Sequence, residues 1–333
     1  KSIKSVILKG DQGLSKRDFS RIIKPLNLFG VKTKSKKNRL PLKITGTDFL
    51  RPIEYDELRG SAQIKSCLLF CALNTPGITK IRAVPSRDHT ERLFKFLNIP
   101  IKIRREKKFD IIKIRGENQY NGFDYKIPGD ISSSAFFIVL TLLSKNSKIL
   151  IKNVNVNKSR TGIIDILKKM NANIRLINKK TYNGEDIADI FVKSGKSLKS
   201  INCAKEMNSR AIDEFLLIFL VCAKAKGISY FNNIGELRNK ECDRLKFSSN
   251  FLKMIGIKVK ETSNSLKIYG NPRLELNGNY EIKNYIKDHR VCMMSCIAAL
   301  VLGGTWKIYE SDSINTSFPK FFSKLKSLGA IIN

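Results

Sequence analysis

The sequence predicts an α/β (α+β) protein in two lobes, built from one helix-and-strand unit repeated along the chain. Three observations predict it. The pattern apolar-x-x-apolar-[Gly/Asn] recurs five times, as Leu26…Phe29-Gly30, Phe94…Leu97-Asn98, Leu167…Met170-Asn171, Leu252…Ile255-Gly256 and Leu325…Leu328-Gly329. Gly or Asn is what a left-handed C-terminal helix cap demands, and strand-forming residues such as Ile174, Val259 and Ile331 follow. Last, 333 residues with 42% hydrophobic content suffice for two ordinary cores.

Taken in order, helices are expected near Ser15–Phe29, Ser61–Leu73 and Thr90–Leu97, with strands at Leu42–Thr45, Lys80–Val84 and Ile111–Ile114. Pro128-Gly129-Asp130 reads as a turn. Asp130-Ile131-Ser132-Ser133-Ser134 then opens a capped helix that continues through Ala135–Leu143. The longest apolar runs, around Phe215–Ala223 and Cys296–Leu302, are too short to span a bilayer, and no signal-peptide pattern is present.

The segment richest in chemistry is Arg238-Asn239-Lys240-Glu241-Cys242-Asp243-Arg244-Leu245. It feeds an apolar-periodic run, with Asp243 placed to cap a helix. A helix start offers free N–H groups and partial positive charge, and Lys240 and Arg244 add full charges around Glu241. Anion binding plus one acid/base carboxylate is the chemistry on offer. In isolation the same residues also read as a capped, solvated helix start.

The net charge of +33 admits a polyanion partner. However, the lysines are scattered, Lys34-Ser35-Lys36-Lys37-Asn38-Arg39 being the densest run, and no aromatic-basic recognition word accompanies them. A solvated basic surface that steers small phosphorylated substrates is the preferred reading, without nucleic acid or membrane. Seven dispersed cysteines, with Cys67/Cys71 and Cys292/Cys296 at helical spacing among apolar neighbours, read as core residues of a reducing, cytoplasmic compartment. His89 and His289 lie far apart with no ligand spacing, so neither metal nor cofactor is expected.

Lys240-Glu241-Cys242-Asp243-Arg244 closely resembles the K-E-S-D-R signature of the 5-enolpyruvylshikimate-3-phosphate synthases, and further words of their class II branch recur in order. These are Gly10-Asp11 with Leu14-Ser15-Lys16-Arg17, Ser61-Ala62-Gln63-Ile64-Lys65-Ser66, Leu73-Asn74-Thr75-Pro76-Gly77-Ile78-Thr79 and Ser86-Arg87-Asp88-His89-Thr90-Glu91. Pro128-Gly129-Asp130, Arg160-Thr161-Gly162, Ile212-Asp213-Glu214, Asp288-His289-Arg290 and Thr316-Ser317-Phe318-Pro319 complete the set. The resemblance spans the chain and implies a hinge at Pro128-Gly129-Asp130, with the lobes drawn at residues 1–129 and 130–333. It implies the enolpyruvyl transferase fold of six βαβ-type units, three per lobe, of which five are present here. The family's opening Lys-Ser-x-x-x-Arg and Asn-Ala-Gly-Thr loops are not found, and Lys1-Ser2-Ile3-Lys4 resembles a strand of the following unit. The sequence is thus expected to lack the family's N-terminal segment and, as given, to turn over negligibly.

The implied reaction moves the carboxyvinyl group of phosphoenolpyruvate onto the 5-hydroxyl of shikimate 3-phosphate, in a monomer. By resemblance, Arg244 and Arg290 take the phosphoenolpyruvate carboxylate, and Arg17 and Gln63 take its phosphate beside Lys240. Ser61, Ala62 through its N–H, Gln63 and Arg87 hold shikimate 3-phosphate. Asp213 holds ring hydroxyls and takes the 5-hydroxyl proton, with Lys240 close by, and Glu241 protonates the methylene carbon. Each of the anion ligands is expected at or just before a helix start. Asp18 replaces a usual Pro, Cys242 replaces Ser, and Thr316 stands where class I members keep Lys; Thr316 and Arg160-Thr161 read as structural. Two readings compete. The sister UDP-N-acetylglucosamine carboxyvinyl transferases carry a reactive Cys where Gln12 stands, and a basic nucleic-acid-binding protein (or a fold-related RNA-terminal cyclase) would cluster its lysines on one face.

Overall fold

In a computed structural model, residues 4–117 and 121–332 are described. Three of the four residues Lys1-Ser2-Ile3-Lys4, assigned to a strand from sequence, lie outside them. The chain divides into two compact units, one of residues 1–126 with 181–185 and the other of residues 127–180 with 186–333.

Unit 1 runs β1 (Ser5–Leu8), α1 (Gln12–Ser15), α2 (Ser20–Leu28), β2 (Lys32–Ser35), β3 (Leu42–Thr45), β4 (Glu54–Glu57), α3 (Ala62–Leu73), β5 (Ile78–Ala83), α4 (His89–Phe96), β6 (Ile101–Arg105) and β7 (Asp110–Arg115). Unit 2 opens with α5 (Ile131–Leu143), β8 (Lys148–Asn155), α6 (Gly162–Lys169), β9 (Asn173–Tyr182), β10 (Glu185–Lys193), β11 (Asn202–Cys203), α7 (Asn208–Ala211), α8 (Phe215–Ala223) and β12 (Gly227–Asn232). It continues with α9 (Arg244–Met254), β13 (Val259–Glu261), β14 (Ser265–Gly270), β15 (Asn279–Ile282), α10 (His289–Leu302), β16 (Thr305–Ile308) and α11 (Phe321–Ser327). The tip of the β9–β10 hairpin, residues 181–185, groups with unit 1.

One topology repeats. The sheets β4-β5-β7-β6 and β11-β12-β14-β13 share an order in which the first two strands are parallel and the last two join antiparallel. β1-β3-β2 and β8-β10-β9 repeat its last three positions, and Gly129 bridges Val154 of β8 in parallel where a first strand would lie. β15 and β16 form a parallel pair. The crossovers β4-α3-β5, β11-α8-β12 and β15-α10-β16 each run through a helix that is apolar on nearly all sides. α8, for example, is Phe-Leu-Leu-Ile-Phe-Leu-Val-Cys-Ala and is buried throughout. Such a helix belongs inside a core, whereas α2, α4 and α6 present one apolar stripe to the sheet. Two clusters result: one around Leu68, Ile81, Phe94 and Ile112 in unit 1, and a larger one around α5, α8 and α10 in unit 2.

The five cap words close α2, α4, α6, α9 and α11. Gly30, Asn98, Asn171, Gly256 and Gly329 all have positive φ, and Leu26, Phe94, Leu167, Leu252 and Leu325 are buried. Gly256 has open space where a Cβ would stand, so backbone conformation alone selects glycine there.

Several expectations need correction. The helix expected over Ser15–Phe29 is two helices, because the Asp18 carboxylate accepts the Ser20 amide and hydroxyl (2.8 and 2.6 Å) and Phe19 N–H donates to Asn38 O. Ile331 lies in no strand and is 88% exposed. Cys67 and Cys71 are only half-buried, while Cys292 and Cys296 are in the core.

Candidate active site

The buried helices deliver their N-termini, and the polar words of the sequence sit there because first-turn amides have no partner inside a helix. In unit 2, Asp288 caps α10 through the Arg290 amide (3.0 Å), and Asp243 caps α9 through the Lys246 amide (2.8 Å). Arg238 proves structural: it grips Asp243 and Glu261 (both 2.7 Å) and the carbonyls of Thr262 and Ser263, fixing the loop that carries Lys240 and Glu241.

Arg244, the first residue of α9, is the hub. Its Nε donates to Asp288 Oδ2 (2.9 Å) and its Nη2 to Asp288 Oδ1 (3.1 Å), a bidentate pair with both side chains buried. Nη2 also donates to Glu241 Oε2 (2.5 Å), and Nη1 lies 3.8 Å from Asp213 Oδ1 without a hydrogen bond. Burial disfavours the guanidinium's charge, but Asp288, Glu241 and Asp213 more than compensate and raise its pKa above the ordinary arginine value. Burial likewise opposes ionisation of Asp288, yet Arg244 holds its carboxyl below the usual aspartate range. His289 is pushed down by burial and by Arg290. Burial raises the Cys242 thiol, with Asp288 adding to the effect, so it is a weak donor to Asp288 and no nucleophile.

Arg290 Nη1 donates to the Asp213 carbonyl (3.1 Å) and lies 3.8 Å from Glu214 Oε1; its Nη2 is 3.9 Å from Asp213 Oδ2. Asp213, Glu241, Arg244 and Arg290 are thus assembled at three adjoining loop-to-helix junctions, and Lys240 immediately precedes Glu241 in the loop before α9. One expectation changes in form. Arg244 is 2% exposed, with Nε and Nη2 committed to carboxylates of its own chain and Nη1 alone making no hydrogen bond, so an incoming anion meets a guanidinium already paired along one edge.

In unit 1, Ser61 caps α3 through the Ile64 amide (3.4 Å), leaving the Ala62 and Gln63 amides at the helix mouth. Glu57, 1% exposed, accepts the Arg59 and Ser61 amides (3.0 Å each) and shapes that turn. Arg87 precedes Asp88, the residue before α4, whose carboxylate pairs with Arg92 and Arg105 (3.2 and 2.9 Å). Beneath them Lys65 and Glu91 form a buried ion pair (2.6 Å), aligned too poorly for a hydrogen bond, and Ser66 bonds Thr90 (2.8 Å). Arg17 departs from expectation: it is exposed and lies beyond the end of α1 rather than at a helix start. Thr316 closes a 3-10 turn by donating to Ser313 O.

Sequence reasoning assigned no functional role to Asp288, Glu214, Ser132 or Arg160. An Asp immediately before a long apolar helix could have flagged Asp288 as a cap; its grip on Arg244, 44 residues away, has no local signal. Among the described residues no group of three or more potential metal ligands gathers, and no helix is long and apolar enough to cross a membrane.

Comparison with known proteins bears on this geometry. The family model described as EPSP synthase (3-phosphoshikimate 1-carboxyvinyltransferase) matches residues 1–325. The chain is 38% identical to a 3-phosphoshikimate 1-carboxyvinyltransferase of Petrotoga mobilis, covering 97% of this chain and 74% of that protein. It is also 38% identical to the same enzyme of Ruthia magnifica, covering 98% and 73%. Among solved structures, an EPSP synthase from Acinetobacter baumannii superposes with a TM-score of 0.84 at 34% identity, covering 97% of this chain and 73% of that one. The enolpyruvyl transferase NikO from Streptomyces tendae shares the fold at 15% identity, with a TM-score of 0.70 over 99% and 74%.

Proposed function

The chain belongs to the EPSP synthase family, and from that premise we propose which of its residues carry the transfer of the carboxyvinyl group of phosphoenolpyruvate to the 5-hydroxyl of shikimate 3-phosphate, with release of phosphate. Asp213 holds ring hydroxyls and accepts the 5-hydroxyl proton, Lys240 stands by the reacting groups, and Glu241 gives a proton to the methylene carbon as the alcohol oxygen adds to its neighbour. Loss of that proton with departing phosphate restores the vinyl group. Arg244 and Arg290 receive the phosphoenolpyruvate carboxylate, and Arg17 and Gln63 its phosphate. Ser61, Ala62, Gln63 and Arg87 receive shikimate 3-phosphate, at a helix mouth suited to anions.

The observation that carries this assignment is the Arg244 hub, which holds Glu241 and has Asp213 3.8 Å from its remaining amine. An anion that draws Arg244 away from Glu241 frees that carboxyl to act as an acid, so substrate arrival and proton transfer are linked. We read units 1 and 2 as the family's two lobes, with the chain changing lobe at the Pro128-Gly129-Asp130 turn, and the protein as a cytoplasmic monomer. Seven unpaired cysteines support a reducing compartment, and a separate core in each unit supports a self-sufficient fold.

Replacing Glu241 with Gln or Asp213 with Asn in the full protein should lower turnover about a hundred- to ten-thousand-fold, the scale of a placed acid or base. Equilibrium binding of shikimate 3-phosphate should survive Glu241→Gln far better than Asp213→Ala, because Asp213 acts in the ground state. Full activity of Glu241→Gln would reduce the central loop to a helix cap.

A further inference from the structure

We propose that Glu214 is a positioning residue that holds Arg290 in its ligand-gripping orientation; this rests on the assignment of Arg290 to the phosphoenolpyruvate carboxylate. Glu214 occupies the position before α8 yet its side chain makes no capping bond. Its carboxylate turns into the protein instead and is 1% exposed. There Ser132 Oγ, at the start of α5, donates to Oε1 (2.5 Å), and Arg290 Nη1 lies 3.8 Å from the same oxygen. Ser132 Oγ in turn accepts from Arg160 Nη2 (2.8 Å), which also reaches Asp130 Oδ1 (3.1 Å). One buried carboxylate thereby joins the starts of α5 and α10 and the approach to α6.

The chemistry favours a role for its charge. Burying a carboxylate carries a heavy desolvation cost, and an apolar side chain of similar volume fills such space more cheaply. Burial pushes the Glu214 carboxyl above the ordinary glutamate range; Arg290, Ser132 and Arg160 pull it back, while the neighbouring Asp213 pushes it further up. The geometry shows what is gained. Arg290 Nη1 is committed to the Asp213 carbonyl and faces Glu214, while Nη2 makes no hydrogen bond among the described residues, its nearest carboxylate oxygen being 3.9 Å away. Pinning one amine leaves the other edge of the fork for a ligand's carboxylate. Without the charge of Glu214, a single carbonyl would anchor Arg290, and the guanidinium could swing onto Asp213.

The test is steady-state kinetics of the full protein. Glu214→Gln keeps the volume and an acceptor for Ser132 but removes the charge facing Arg290. Expected is a rise in KM for phosphoenolpyruvate of about ten- to a hundredfold, the scale of a misplaced binding group, with KM for shikimate 3-phosphate and Tm nearly unchanged. In an Arg290→Lys background, Glu214→Gln should add little, since the two act through one contact. Ser132→Ala, which leaves that charge in place, should not raise KM for phosphoenolpyruvate even if Tm falls. If Arg290→Lys raises that KM but Glu214→Gln does not, the positioning role is overturned and the Arg290 assignment stands. If Arg290→Lys itself leaves KM unchanged, the assignment falls and takes the proposal with it. If Ser132→Ala mimics Glu214→Gln, or both KM values and Tm shift together, Glu214 is only a packing element.

Discussion

Arg244 shows how much of this site's character is set by single ion pairs. Its guanidinium is buried against Asp288 with two near-parallel hydrogen bonds, and removing one partner of such a pair leaves an uncompensated charge in the core. Asp288→Ala should therefore destabilise unit 2 by roughly 3–5 kcal/mol, read by denaturant or thermal unfolding. The pH dependence follows from the sign of the shift. The Asp288 carboxyl is held below its unfolded value, so its contribution is complete above the unfolded aspartate range and is lost as pH falls through the still lower folded value. The stability gap between wild type and Asp288→Asn should stay level from neutral pH to about pH 5 and close only at lower pH. A gap that closed above pH 5 would contradict the lowered carboxyl.

Helix α3 is tied to α4 by a contact of a different kind. Lys65 and Glu91 are both buried, and burial raises the Glu91 carboxyl despite the lysine beside it, so the pair gains little net stability from its charge. Lys65→Met or Glu91→Leu alone should cost roughly 3–5 kcal/mol, whereas the double replacement should be neutral or stabilising, because it removes two desolvation penalties at once. A thermodynamic cycle on unfolding checks this, and a double variant as unstable as the singles would mean the pair fixes the register of α3. That register bears on the proposed site: Ser61, Ala62 and Gln63 lie at the start of α3, and its N-terminal direction aims their amides.

Across the whole molecule the sequence carries a surplus of 33 positive charges, and both substrates of the family's reaction are multiply charged anions. Steering of that kind acts on encounter and is screened within about 8 Å at physiological ionic strength. kcat/KM for both substrates should fall as salt is raised at constant pH, while kcat at saturation changes little. A flat salt dependence would make the lysine excess irrelevant to catalysis. A minority of the surface charges are paired in ordinary exposed ion pairs such as Lys80–Glu54 and Arg82–Asp56, which stabilise little.

The α/β class, the repeat and the places where chemistry could occur are legible in the amino-acid order alone. Helix stripes, left-handed caps at Gly30, Asn98, Asn171, Gly256 and Gly329, and capping acids at Asp130, Asp243 and Asp288 are all set by neighbours a few residues away, so their pattern is written locally. Local preference failed where a side chain chose a competing partner: Asp18 captures Ser20 and breaks the helix expected through Arg17. Which charges meet is settled by long-range packing instead. Asp288 reaches Arg244 across 44 residues, Arg290 reaches the Asp213 carbonyl across 77, and Ser132 reaches Glu214 across 82. No periodicity encodes such pairings, because they depend on which helix starts the repeated units bring side by side. A buried charge cannot go unpartnered, and that requirement is met only once the chain has folded.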